Sequence, residues 1–413
     1  MFAAFLYSAR LYLSLCAQSF SRKSDIGSLS WRGRLLRFFL YLLFLPVWLI
    51  HWLCLFLDEI FFFSYHLQEL KRPLFILGVP RSGTTFLHRS IAEDEARFTS
   101  VSTWEVFLAP SILQKKFILM LGWIDRRIGH PGARLIKWLE KKLFAALEGV
   151  HDMELEAAEE DYLLLLPMLS CFILFLPFTE SKHIWSLARF DWEASEQDKQ
   201  RIMQFYRACL QKHMFVFARG ANAHKRYLSK NAAFASWPVT LQEYFPDADF
   251  VICMRQPEKA VPSLLGSLES GIGLFDLQLE RGELPEMLSS MMADYYEHLL
   301  CRFPKPAPIA HMESLKNNIS ASVAAIYGFH GDTVSAEFSE RLNELEAESR
   351  QYKTRTNALQ PKSEAVGEFY AGRFSHYYAR EDEIRSALLS TELSSALPAT
   401  STTEDASRKP GND

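Results

Sequence analysis

The sequence predicts an α/β fold: a central parallel sheet flanked by helices and preceded by a hydrophobic N-terminal helical segment. Three observations carry this expectation. An apolar run at residues 74–77 (LFIL), just after Pro73, leads into a glycine-containing loop at 78–85 and then a helical stretch at Thr84–Ala92. A second apolar run, Asp249–Met254 (DFVICM), follows the turn residues Phe245, Pro246 and Asp247. Longer helical stretches separate such runs, an alternation that covers both faces of a parallel sheet.

The chain has 413 residues, 49% hydrophobic and 14% aromatic, ample for a large core. Its net charge of −4 offers no global electrostatic case for nucleic acid. Six cysteines lie far apart without a C-x-x-C pair, so neither a zinc site nor a disulfide framework is indicated. Composition divides the chain into a hydrophobic and basic segment (1–72), an α/β domain (73–394) and a Ser/Thr-rich tail expected to be disordered (395–413).

Residues 38–57 (FFLYLLFLPVWLIHWLCLFL) are long enough to cross a bilayer, although Pro46 and His51 interrupt their character. Trp48 and Trp52 suit an interfacial depth. Arg22, Lys23, Arg32, Arg34 and Arg37, opposed only by Asp25, form a basic flank. Membrane association is expected, with two geometries open. A spanning helix puts the body across the membrane from this flank, whereas a helix lying in the interface keeps both on one side.

The loop Gly78-Val79-Pro80-Arg81-Ser82-Gly83-Thr84-Thr85 has the G-x4-G spacing of a Walker A loop, which makes the sheet P-loop-type. Strand, tight loop and helix together aim backbone N–H groups and the helix dipole at one spot, where a phosphate binds. Thr84 stands where a Walker lysine would follow Gly83, which argues against the alternative of a P-loop kinase or nucleotide hydrolase. Arg81 can supply the cation instead. At the end of the second run, Arg255 can grip a phosphate bidentately and Ser263 can donate a hydroxyl hydrogen bond.

Residues 80–86 resemble the 5′-phosphosulfate loop of sulfotransferases that use 3′-phosphoadenosine-5′-phosphosulfate (PAPS). Extended from Gly78 through His88 and Arg89 to Asp94, the match is to the bacterial-type "sulfotransferase 3" branch. The resemblance implies that Arg81, Ser82, Gly83, Thr84 and Thr85 hold the phosphosulfate, and Arg255 and Ser263 the 3′-phosphate. It implies sulfuryl transfer from PAPS, without a metal, to a hydroxyl or amine acceptor. Glu105 is similar in position to the acceptor-activating base of several branches, and His151 is a second candidate. Arg81 is also placed to assist the transferring group. Glu160-Asp161 resembles an acidic pair of this branch, and Lys230 a lysine that could neutralise donor charge. The apolar stretch 162–178 reads either as buried core or as a wall for a lipid-like acceptor. A non-catalytic membrane scaffold on this fold is the remaining alternative.

Overall fold

The computed structural model describes residues 1–24, 27–135, 155–280, 282–351 and 364–381. The expected tail at 395–413 lies outside them. In chain order the strands are β1 (Lys23–Ser24), β2 (Gly27–Leu29), β3 (Leu74–Gly78), β4 (Phe98–Thr99), β5 (Arg226–Asn231), β6 (Asp249–Met254), β7 (Leu277–Leu279) and β8 (Ile309–His311). Five form one parallel sheet in the order β4-β5-β3-β6-β8; β1, β2 and β7 form a small antiparallel sheet beside it.

Both strands read from apolar runs are present, and β3 is buried along its whole length because helices cover both faces. Leu74, Ile76, Leu228 and Val251 pack with Leu87 and Ile91 of the Thr84–Ala92 helix. Phe75, Leu77, Phe250 and Ile252 face a larger core that also holds Tyr12, Trp48 and Trp52 of the N-terminal helices. After β3 the chain goes to β4, returns beside β3 as β5, then leaves on the other side as β6. That reversal opens a crevice at the carboxyl ends of β3 and β6, where open α/β sheets bind ligands.

The hydrophobic segment forms two helices, Phe2–Gln18 and Trp31–Phe61. Ser30 caps the second, accepting from the Gly33 N–H at 3.1 Å. One face of this helix is buried over its full length, through Gly33, Arg37, Tyr41, Trp48, His51, Trp52, Leu55 and Asp58. Spacings of three, four and seven keep those residues on one side. The Trp48 and Trp52 indole N–H groups donate to the Pro167 carbonyl. Residues 162–178 therefore serve as core: the short 3-10 helices Asp161–Met168 and Phe172–Phe175 bury Leu163, Leu164, Leu165, Met168 and Phe175.

Candidate functional site

The crevice is built on the loop after β3. Gly78 is required by close approach, since a Cβ there would lie 2.5 Å from the Cys253 carbonyl oxygen of β6 and 2.9 Å from Ser82 Oγ. Arg81 (φ 68°) and Gly83 (φ 94°) both take left-handed conformations, and a Cβ on Gly83 would collide with Met312 Sδ. Gly83 is also the N-cap of the Thr84–Ala92 helix and has no side chain to offer. The first-turn N–H groups, those of Thr84 and Thr85 among them, are left to an outside acceptor. Ser82 is fully buried, and its Oγ has no partner among the described residues. A cradle closed by glycines, with an orphaned hydroxyl and uncapped N–H groups, fits a phosphate-like anion.

Arg255 leaves the carboxyl end of β6 and reaches the loop. Its Nη1 donates to the Arg81 carbonyl at 3.0 Å, and Arg81 Nε donates to Ser263 Oγ at 3.0 Å. Tyr296 holds Arg255 from behind by donating to its carbonyl. Arg81, Arg255 and Ser263, 182 residues apart at the extremes, thus meet in one place. Two further cations join them. Burial and the neighbouring Arg81 push the Arg255 guanidinium below its usual value. Burial, then Arg255 and Lys259, does the same to Lys316 of the Met312–Asn317 helix after β8. Among the described residues the acid set against this cluster is Glu313, paired with Lys259. Crowded cations with so little opposing charge mark an anion site. Lys259 lies one turn beyond Arg255 and was available to sequence reasoning; Lys316 arrives on a separate strand–helix unit with no motif of its own.

A second group gathers at the end of β5. Lys230, buried and in register with Ile76 of β3, is ion-paired with Glu160. It is near enough to the Thr84–Ala92 helix to depress His88, after burial and ahead of Arg89. The next residue, Asp161, accepts from Tyr206 Oη (2.7 Å), Tyr227 Oη (2.9 Å), Ser229 Oγ (3.0 Å) and Asn231 Nδ2. Burial raises its carboxyl to about 6 against the pull of these four donors. Asn231 Oδ1 in turn accepts from the Tyr162 N–H at 3.0 Å, so residues 160–162 are pinned to the sheet edge beside β3.

Glu105 stands in a different setting. It is buried, completes a capping box with Ser102, and accepts from His213 Nδ1 at 2.8 Å and Lys115 Nζ at 3.1 Å. Burial opposes its charge, but His213, Lys115 and the Ser102 N–H hold the carboxyl at about 2. His151 lies outside the described residues. We expect Glu105→Gln to cost about 3–5 kcal/mol of stability, because it leaves a buried lysine and histidine without their anion. Urea denaturation checks this. The stabilisation from Glu105 is complete above its unfolded value near 4.5 and is lost as pH falls toward about 2. The acid limb of the stability curve should therefore flatten in the variant, and an unchanged limb would contradict the ion-pair account.

The chemistry available is the binding of phosphate-like anions at the loop and its cation cluster, with a lysine–carboxylate pair at the neighbouring strand end. Among the described residues no group of three His, Cys, Asp or Glu side chains is placed to hold a metal ion. Residues 73–331 match the sequence profile of the Sulfotransferase family. The fold is similar to the crystal structure of sulfotransferase STF1 from Mycobacterium tuberculosis H37Rv, with a TM-score of 0.64 at 20% identity over 90% of this chain and 92% of that one. It is also similar to sulfotransferase STF9 from Mycobacterium avium, with a TM-score of 0.63 at 17% identity over 84% and 86% of the two chains. No match was found among curated proteins.

Proposed function

Because this chain belongs to the sulfotransferase family, we propose that it transfers the sulfuryl group of PAPS to a hydroxyl-bearing acceptor of lipid-like character at a membrane surface. The observation that carries the donor assignment is the convergence of Arg81, Arg255, Lys259 and Lys316 on a loop whose buried Ser82 hydroxyl has no partner among the described residues. In this reading Ser82, Gly83, Thr84 and Thr85 hold the 5′-phosphosulfate and Arg81 adds charge to it. Arg255 and Ser263 hold the 3′-phosphate, and the lysines neutralise the remainder.

The pair Glu160–Lys230 supplies the chemistry. Lys230 turns toward the donor and stabilises charge that develops on the leaving phosphate. Glu160, released from its ion pair, takes the proton of the acceptor hydroxyl as that oxygen attacks sulfur. The bond from sulfur to the bridging phosphate oxygen breaks, and adenosine 3′,5′-bisphosphate leaves. Glu105, saturated by its donors, is the second reading for the base and rests on its place after the donor loop. Glu160→Gln should lower turnover by about 10²–10⁴ with donor affinity nearly intact. Equal turnover in that variant, with loss in correctly folded Glu105→Gln, would transfer the role to Glu105. Transfer of labelled sulfate from PAPS onto a lipid extract tests the activity itself. ATP binding without PAPS binding would favour a kinase or hydrolase, and PAPS binding without transfer a scaffold.

A further inference from the structure

The helix Trp31–Phe61 is as apolar outside as inside. Leu35, Leu36, Phe39, Leu40, Leu42, Leu43, Val47, Leu49, Ile50 and Leu53 are all exposed, Leu43 by 70% and Leu53 by 58%, and no charged residue interrupts residues 38–57. The helix thus packs on the body by one face and leaves an apolar face exposed. The opposite face is committed to protein at both ends. Arg37 Nη1 pairs with Glu180 Oε1 at 2.8 Å, and Asp58 Oδ2 pairs with Lys212 Nζ at 2.9 Å, with Arg37, Asp58 and Lys212 fully sequestered. Arg37 and Asp58 stand 21 residues apart, about 31 Å along a helix, which equals the thickness of a bilayer's hydrocarbon core. A spanning helix would set the two ion pairs at opposite faces of that core and draw the protein packed between them, the Pro167 carbonyl held by Trp48 and Trp52 included, into it.

A second helix extends the same surface. Asp58 accepts from the Ile112 and Leu113 N–H groups at 2.8 and 3.0 Å, which fixes the start of the Ile112–Arg127 helix against the first. Beyond that anchor Phe117, Leu119, Met120, Leu121, Trp123 and Ile124 are exposed, Phe117 by 54% and Trp123 by 52%. The acids at the margins are engaged, Glu59 by Tyr65 and His66 and Asp125 by the Gly132 and Ala133 N–H groups. The charges there are mostly basic: Arg32 and Arg34 on one helix, Lys116, Arg126 and Arg127 on the other. A second copy of the chain would set these like charges near one another, whereas anionic headgroups complement them.

We propose that the protein is monotopic: both helices lie in the plane of one leaflet, sunk to the acyl boundary, with their basic margins on anionic headgroups. The whole body then sits on one side of the membrane, with the donor site in the same compartment as the basic flank. This builds on the membrane association proposed above but not on the transfer chemistry, and its test reads no sulfate transfer.

Two measurements on the full chain decide it. In flotation, the protein should rise with phosphatidylcholine/phosphatidylglycerol vesicles and less with phosphatidylcholine alone. Leu43→Glu/Ile50→Glu and, separately, Phe117→Glu/Trp123→Glu should each weaken vesicle binding about tenfold or more, with PAPS binding reporting that the variants are folded. Unchanged binding in the second variant would remove the Ile112–Arg127 helix from the surface. A non-floating dimer that these substitutions dissociate would overturn the membrane in favour of a self-interface. In sealed membrane vesicles of one orientation, Arg32→Cys and Lys71→Cys, each with Cys301→Ser, should react with impermeant maleimide from the same side. Reaction from opposite sides means a spanning helix and ends the proposal.

Discussion

Replacing Arg255 with alanine is expected to weaken PAPS binding by about 2–5 kcal/mol, the range for truncating one partner of a desolvated charge pair. Arg255 does two things at the crevice. In the proposed site it brings a half-buried charge to the 3′-phosphate, and its Nη1 ties the Arg81 carbonyl in the left-handed turn of the loop after β3. The alanine variant should therefore lose affinity for both PAPS and adenosine 3′,5′-bisphosphate. Arg255→Lys should recover only part of it, because an ammonium keeps the charge but cannot bond the loop and a phosphate as a rigid fork. Calorimetric titration with the bisphosphate makes the measurement without turnover. Affinity unchanged in the alanine variant would take Arg255 out of the donor site.

The second large effect is on stability. Asp58→Ala should cost about 3–5 kcal/mol, since it strands a buried ammonium and removes the acceptor of two helix-start N–H groups. Lys212 is fully buried, with its Nζ 3.8 Å from the Tyr65 ring centre and 3.7 Å from Glu59 Oε1. Glu59 softens the loss but is a quarter exposed and farther away. Asp58→Ala/Lys212→Met should regain much of the stability, because no buried ammonium remains to need a counter-charge. Chemical denaturation of both variants gives the comparison. A single variant as stable as the parent would mean that the ion pair does not anchor the long helix to the domain.

The two strands and the donor loop were legible because their determinants are local. An apolar run, a pair of glycines and a helix start sit within a dozen residues, and the start of the Thr84–Ala92 helix follows from the Gly83 turn. The placement of Arg255 and Ser263 on one strand end and the helix that follows it was legible for the same reason, since the two are contiguous; their meeting with Arg81 is what the fold adds. The surroundings of the candidate bases were not. Glu105 takes its charge state from His213, 108 residues away. Glu160 meets Lys230, 70 residues on, only in the fold.

The amino-acid order alone sets the α/β alternation, the anion cradle after β3 and the presence of a long apolar helix, all of which follow from short-range periodicity and turn chemistry. Folding determines which charges share a buried space. It draws Lys316 to Arg255, closes Glu105 against His213, and fastens the apolar helix through Glu180 and Lys212, partners 143 and 154 residues away. In a low-dielectric interior such pairings decide charge state and orientation, and no window along the chain contains both members.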